Sequence, residues 1–338
     1  MIEAVEERFR VTFIAPHQRL AAGGVYSIQQ FASNLSRWMD VSLVVRGGEL
    51  SPLEGVTVLK SETLAPETLP DADATILHIN APDAGGFFSL PPSKGERLLL
   101  FQGYSVLGSE MVKERLRSGL RVMAISGWLV EEAKRHGADI SYTPCGLDRS
   151  IFFPGPPTGE RGQTVAVKCH PVEWKGTADG FAALEQVAAE RPGTKIVVFG
   201  VYPPHEPPSF PHTFVSLRHQ SEVASLFRES ALFVCSSWEE GFGMPGLEAL
   251  ACGTALATTD TKGSRDYALD GETALVTPPR DPDALAGSVV RLLDDVDLRR
   301  RLCEAGESRA RTEFGTWADA ADRIRRVLLA RSVAGTPT

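Results

Sequence analysis

Two carboxylates, Glu240 and Glu248, stand with seven residues between them on either side of Gly241-Phe242-Gly243-Met244-Pro245-Gly246. A glycine turn that opens a helix leaves backbone amides unpaired. The helix dipole adds partial positive charge at the same spot, which therefore attracts an anion such as phosphate. A carboxylate beside an anion is unfavourable unless it faces hydroxyl groups, as it would if a sugar or ribose accompanied the phosphate. Lys175, just ahead of a second helix start at Gly176, places a cation next to further amides, again suited to phosphate. The plainer reading is a structural βα turn, with Glu240 solvated and Glu248 favouring the helix dipole.

These residues need a strand and a helix to hold them. Residues 231–235, Ala-Leu-Phe-Val-Cys, form an apolar run that predicts a strand buried on both faces. Pro245 suits the first position of a helix, and Leu247, Leu250 and Ala251 follow at helical spacing. The chain opens in the same way. Residues 8–15 predict a strand, a loop closes with Ala21-Ala22-Gly23-Gly24, and 25–39 carry Val25, Ile28, Phe31, Ala32, Leu35 and Trp38 on one helical stripe. The glycine pair reads as a tight loop that needs positive φ.

Further strands are expected at 41–45, 57–60, 74–79, 98–101, 121–125, 164–168, 195–200, 213–217 and 254–259. Helices are expected at 109–118, from the cap Ser126 onward, and at 176–190, 220–230, 282–293, 298–311 and 316–330. Such alternation predicts an α/β fold with mostly parallel sheets covered on both faces. A chain of 338 residues exceeds what one ordinary core uses, so two domains are expected. The proline-rich stretch 154–159 reads as a stiff linker between them, 87–94 and 201–211 as loops, and 333–338 as a frayed tail.

Composition narrows the function. With 43% hydrophobic and 23% charged residues the chain is globular in type, and a net charge of −8 argues against a nucleic-acid partner. No apolar run approaches the roughly 20 residues of a membrane span, and the acidic first ten residues do not read as a secretory signal. A cytoplasmic protein is expected. The five cysteines show no C-x-x-C spacing and read as reduced structural thiols. His205, His212 and His219 are evenly spaced but lack acidic or cysteine partners, so no metal site is expected.

Ser236-Ser237-Trp238-Glu239-Glu240-Gly241-Phe242-Gly243, followed by Leu247-Glu248-Ala249-Leu250-Ala251-Cys252-Gly253, resembles the E-x7-E region of the family 4 retaining glycosyltransferases. The resemblance implies the GT-B fold: two facing Rossmann-like domains with mostly parallel sheets. Residues 1–157 would form the acceptor-side domain and 158–315 the nucleotide-sugar domain, with the helix in 316–338 crossing back to the first. It implies retaining transfer of a hexosyl group from a nucleotide-diphosphate sugar to an acceptor hydroxyl, without a metal ion and with no cofactor beyond that co-substrate.

By the same resemblance Glu240 orients the sugar hydroxyls, Glu248 holds the ribose hydroxyls, and Lys175 with the amides of Gly241, Phe242, Gly243 and Met244 neutralises the diphosphate. Gly23 and Gly24 lie against the donor diphosphate or the acceptor, and the stretch at Leu217 holds the nucleotide base through its backbone. Two residues depart from the family pattern. His170 stands where an arginine usually clamps the diphosphate, and it would be only partly charged near neutrality, so Lys168 or Arg265 is expected to help. Gln102, in Phe101-Gln102-Gly103-Tyr104, stands where many members place a histidine against the transferred sugar. That Phe-Gln-Gly-Tyr form also resembles a subgroup of bacterial rhamnosyl- and related transferases.

Lys113, Arg115, Arg117 and Arg121 form a basic cluster. Most such runs are solvated faces, whereas in membrane-associated members of the family a patch of this kind meets anionic lipid. Two other functions remain open on the sequence. One is a non-hydrolysing sugar-nucleotide epimerase, which needs no acceptor, and the other a catalytically idle nucleotide-sugar binder. The donor base (UDP, dTDP or GDP), the donor sugar and the acceptor are not legible.

Overall fold

The computed structural model describes residues 8–16, 23–81, 84–104 and 109–330. The expected tail 333–338, along with Ala21 and Ala22 of the first loop, lies outside them. In chain order the elements begin with β1 (Arg10–Ala15), α1 (Gly23–Leu35), β2 (Asp40–Val45), β3 (Val56–Lys60), β4 (Ala74–His78), β5 (Glu96–Phe101) and α2 (Ser109–Leu116). They continue with β6 (Arg121–Ala124), α3 (Gly127–Arg135), β7 (Ile140–Tyr142), β8 (Thr164–Lys168), α4 (Thr177–Glu190), β9 (Lys195–Gly200), β10 (Thr213–Ser216) and α5 (Gln220–Glu229). The last are β11 (Leu232–Cys235), α6 (Met244–Ala251), β12 (Ala255–Thr259), β13 (Leu275–Thr277), α7 (Pro282–Asp294), α8 (Val296–Glu313) and α9 (Trp317–Leu329).

The chain divides into two compact units, residues 1–146 with 316–338, and residues 147–315. The first unit holds a sheet of order β3-β2-β1-β4-β5-β6-β7 and the second a sheet of order β10-β9-β8-β11-β12-β13. Every pairing between these strands is parallel. Central strands are covered on both faces. β12 is buried at each of its positions and β1 at all but the first, as the apolar runs require. The order reverses between β1 and β4 in one sheet and between β8 and β11 in the other. Open parallel sheets bind ligands beyond the strand ends at such points.

The division falls between Gly146 and Leu147, ahead of the proline-rich stretch. That stretch is docked within the second unit. The Leu147 amide donates to the Gly315 carbonyl, the Gly155 amide donates to the Cys252 carbonyl, and the Arg228 guanidinium lies 4.3 Å from the Phe153 ring centroid. In the first unit α9 packs on α1. The Trp317 ring meets Tyr26 and Phe31 edge-on at 5.9 and 5.4 Å, and Gly146 leaves room for the Trp317 backbone, which a Cβ would approach to 2.4 Å.

Three buried arginines act as backbone anchors. Arg161 donates to the carbonyls of Pro156, Phe227, Ser230 and Cys252, Arg299 to those of Leu292 and Leu293, and Arg115 to those of Ile79 and Ala81. Each satisfies loop or helix-end acceptors that would otherwise be buried without donors.

Ser126 sits at the cap of α3 but makes no side-chain cap bond. Gly23 and Gly24 begin α1 instead of closing a loop, and neither has positive φ. Gly24 is needed for a different reason, close approach: a Cβ there would lie 3.1 Å from Gln102 Oε1. Among the described residues no helix is long and apolar enough to cross a membrane.

Candidate functional site

In the second unit β8 and β11 deliver the chemistry at the reversal point. After β8 the chain makes a short 3-10 turn, Glu173–Lys175, which ends at Gly176 with φ of +61°. The turn is pinned to the exit of β11 by the Trp238 amide, which donates to the Trp174 carbonyl at 2.8 Å. Trp238 in turn donates its indole N–H to Asp179 at 2.6 Å and carries the Arg280 guanidinium 3.9 Å from its ring centroid. A Cβ on Gly176 would run into the Ser236 carbonyl at 1.9 Å, so only glycine lets α4 start this close to β11.

This docking brings Lys175 to Glu240. The ammonium donates to both carboxylate oxygens, at 2.8 and 2.7 Å, and the Ser237 hydroxyl adds a third bond at 2.8 Å. Both side chains remain partly open to solvent, so the pair is placed, not sealed. The Glu240 amide is itself tied to the Thr261 carbonyl, which fixes the start of the glycine turn against the segment after β12.

Beyond that turn α6 begins with Gly243 as its cap, at φ of +88° and with no side chain capping it. The amides of Gly243 and Met244 donate to no backbone carbonyl among the described residues. Tyr267 supports the turn from below: its hydroxyl donates to the Gly243 carbonyl at 2.6 Å, and a Cβ on Gly246 would collide with it at 2.5 Å. Phe242 is buried against Tyr267 and Phe314. Its side chain therefore belongs to the core, which leaves only its backbone for the expected role.

Glu248 lies on the first turns of α6 and is 4% exposed. No hydrogen bond reaches its carboxylate among the described residues. Burial pushes its carboxyl up to about 7, against the pull of Lys168. His170 corrects the sequence expectation of partial charge. It is half-buried, its Nδ1 accepts the Val172 amide at 3.1 Å, and burial followed by Lys175 and Lys168 lowers its pKa to about 4. His170 is therefore neutral near pH 7. Arg265 is committed to Asp260 through bonds of 2.8 and 2.6 Å.

In the first unit the corresponding reversal gathers uncharged groups. Gln102, at the end of β5, is 8% exposed, and neither its amide oxygen nor its amide nitrogen has a partner. Asn80, just past β4, is 4% exposed. It donates to the Gly103 carbonyl at 2.7 Å, while its Oδ1 is left without a donor. His78 Nδ1 accepts the Asn80 amide, and its Nε2 would lie 3.7 Å from a Cβ on Gly24. Gly24, Gln102, His78 and Asn80 thus surround one small polar place at the start of α1. Nothing lies within 4 Å of a Cβ on Gly23.

The sequence brought together Glu240, Glu248, Lys175 and the glycine turn, and separately Gly24 with Gln102. It did not single out Asn80 or His78. Both stand at the carboxyl end of the strand expected at 74–79, so the rule that selected Gln102 would have found them. Leu217 follows the end of β10. Its amide closes the β10 ladder on Gly200, and its side chain lines a shallow groove with Val215, Glu222 and Leu226 that no other expected site residue enters. Among the described residues no group of three His, Cys, Asp or Glu side chains is arranged to hold a metal ion.

The basic cluster also needs correction. Arg115 is buried on its two carbonyls, and Arg121 is held by Glu96 and the Val327 carbonyl. Lys113 pairs with Glu110, and Arg117 contacts His136. The four do not form one exposed basic face, because packing turned part of the helix stripe inward.

The model of the family described as glycosyl transferases group 1 matches residues 210–309. Glycogen synthase of Mycobacterium tuberculosis is 30% identical over 165 residues, 46% of this chain and 40% of that protein. D-inositol 3-phosphate glycosyltransferase of Thermobispora bispora is 36% identical over 108 residues, 32% of this chain and 25% of that protein. The chain thus spans less than half the length of either relative. Among solved structures, sucrose-phosphate synthase from Thermosynechococcus elongatus matches with a TM-score of 0.77 at 20% identity, over 96% of this chain and 100% of that one. HepE of Anabaena, in complex with UDP and glucose, matches with a TM-score of 0.77 at 13% identity, over 95% of this chain and 100% of that one. At these identities the structural likeness speaks for the fold. The Glu240–Glu248 turn lies inside the segment that matches the glycosyl transferases group 1 family, and the chain as a whole has the GT-B fold.

Proposed function

We propose that this protein is a retaining glycosyltransferase that moves a hexosyl group from a nucleotide-diphosphate sugar to an acceptor hydroxyl. One observation carries the reading: Glu248 is a buried carboxylate without a donor, one turn into a helix whose N-terminus is uncapped. A buried carboxylate left without hydrogen bonds is destabilising. A vicinal diol such as that of ribose satisfies it with two O–H donors, and the neighbouring amides take the diphosphate. A nucleoside diphosphate meets both demands at once. That HepE was solved with UDP-glucose makes UDP the first nucleotide to test.

In this reading the bond between the sugar C1 and the diphosphate oxygen breaks as the acceptor oxygen bonds to C1 from the same face. The acceptor proton passes to the departing diphosphate. No protein nucleophile takes part. Lys175 and the amides of Gly243 and Met244 stabilise the charge that develops on the leaving group. Glu240, fixed by Lys175 and Ser237, accepts hydrogen bonds from the sugar hydroxyls and positions the ring. Gln102, Asn80 and His78 of the first unit offer hydrogen-bond donors and acceptors that suit acceptor hydroxyls. Charge stabilisation assigned to these groups calls for no metal ion.

The test is a thermal-shift series with UDP, GDP, dTDP and their glucose conjugates, followed by an assay of nucleotide release. Stabilisation by a nucleoside diphosphate, and release that requires an added acceptor, are the expected results. No stabilisation by any of them at millimolar concentration would overturn the reading. Release of a modified free sugar without acceptor would replace it with epimerase chemistry.

A further inference from the structure

We propose that Lys168, and not His170, supplies the second cation of the donor diphosphate, so that the ammonium groups of Lys168 and Lys175 flank the pyrophosphate. This inference rests on the donor site proposed above and names a residue within it.

Lys175 is the first cation. Lys262 is engaged by Glu239 and Arg265 by Asp260. His170 is neutral above about pH 4, and its Nδ1 is already used by the Val172 amide. Lys168 is exposed, and among the described residues no hydrogen bond or ion pair engages it. A lysine with no partner is ordinary on a protein surface, so its position has to carry the argument.

Lys168 is the last residue of β8, the strand at which the sheet order reverses. Side chains alternate along a strand. Val165, Val167 and Cys169 pack with Ala183, Leu184 and Val187 of α4 on one face. Lys168 therefore projects to the other face. Its cross-strand partner Phe199 stacks there with Phe227 of α5 and Phe233 of β11, at 5.8 and 6.0 Å. Lys168 lies within electrostatic reach of Glu248 of α6, whose carboxyl it pulls down, and of Glu240 and Lys175.

The local electrostatics agree. The Lys168 ammonium is pulled below the usual lysine range by desolvation first and Lys175 second, although the side chain remains open to water. Two ammonium groups that disfavour one another are relieved when an anion enters between them. The charge that the resemblance places on an arginine at position 170 has thus moved two residues back, onto the end of the strand.

The test is isothermal titration of the full chain at pH 7.5 with UDP, GDP and dTDP, and then with the monophosphate of whichever base binds. Wild type, K168M, K168R and the double variant K168M/H170R are compared. Lys168→Met is expected to weaken the diphosphate roughly ten- to thirtyfold and the monophosphate clearly less. Lys168→Arg should stay near wild type, and an arginine at position 170 should restore much of the loss. Unchanged diphosphate affinity in K168M, or an equal loss for the mono- and diphosphate, would overturn the assignment while leaving the donor site in place. Binding of none of the three nucleotides by wild type would overturn the donor site itself and this assignment with it.

Discussion

The two sheets reverse their strand order in the same way, yet the side chains placed at the two reversals differ in kind. The second unit presents an ion pair, Lys175 with Glu240, and a buried acid at Glu248. The first presents amides and an imidazole: Gln102, Asn80 and His78. Among the described residues both amide atoms of Gln102 and the Oδ1 of Asn80 lack hydrogen-bond partners, and no hydrogen bond reaches the Glu248 carboxylate, which a folded protein seldom tolerates. On the proposed function the difference divides the work: an ion pair, a buried acid and a helix start without a side-chain cap suit a diphosphate and a ribose, whereas amides suit hydroxyls, which need donors and acceptors but no net charge.

Four experiments break or sharpen this contrast. The largest effect is expected from Glu240→Ala, which should lower kcat on the order of 100- to 1000-fold while leaving nucleoside diphosphate affinity within about threefold. Steady-state kinetics paired with titration calorimetry separate the two quantities. If affinity fell as much as turnover, Glu240 would be a binding residue and the charged site would have only one role.

Glu248→Ala comes next. Removing a carboxylate that accepts two hydroxyl donors should weaken the diphosphate roughly 10- to 100-fold, with a much smaller change in kcat. Equal and negligible effects from the Glu240 and Glu248 variants would refute the assignment of roles.

The third concerns pH. The Glu248 carboxyl is raised from 4.5 to about 7 by burial, so between those values the folded state holds a proton that the unfolded state has lost. Stability therefore falls as pH rises through that window, on the order of 1–3 kcal/mol at this position. Denaturant unfolding at pH 5 and pH 8 should show a smaller drop for Glu248→Gln than for wild type. Hydroxyl donors favour the ionised acid, so diphosphate affinity should rise as pH passes through about 7. An affinity flat from pH 6 to 8 would remove Glu248 from the site.

The smallest effect is expected in the first unit. Gln102→Ala should lower kcat/KM by about tenfold or less and leave diphosphate affinity unchanged. A drop in diphosphate affinity would mean that the neutral place reads the nucleotide, and the contrast between the units would fail.

Much of the framework was legible because parallel strands buried on both faces write themselves as short apolar runs between helical stripes. β8, at 164–168, was placed to the residue. β7 was missed because Ile140–Tyr142 is three residues long and only partly covered, too short for any alternation to show. The acid pair and its glycine turn were legible because they lie close in sequence. The bond between Lys175 and Glu240 was not, since 65 positions separate them and a tryptophan backbone contact aligns them. Charge was the least legible property. Arg115 looked like a surface cation until the carbonyls of Ile79 and Ala81 were seen beneath it. His170 looked half-charged until burial was taken into account. Spacing reports which face a residue shares, and only packing reports whether that face meets water.

The most direct measurement is a crystal structure of the protein with the nucleoside diphosphate that stabilises it most. The account predicts the ribose hydroxyls on the Glu248 carboxylate and the phosphates over the amides of Gly243 and Met244. A nucleotide bound with Glu248 untouched, or with its phosphates away from those amides, would contradict it.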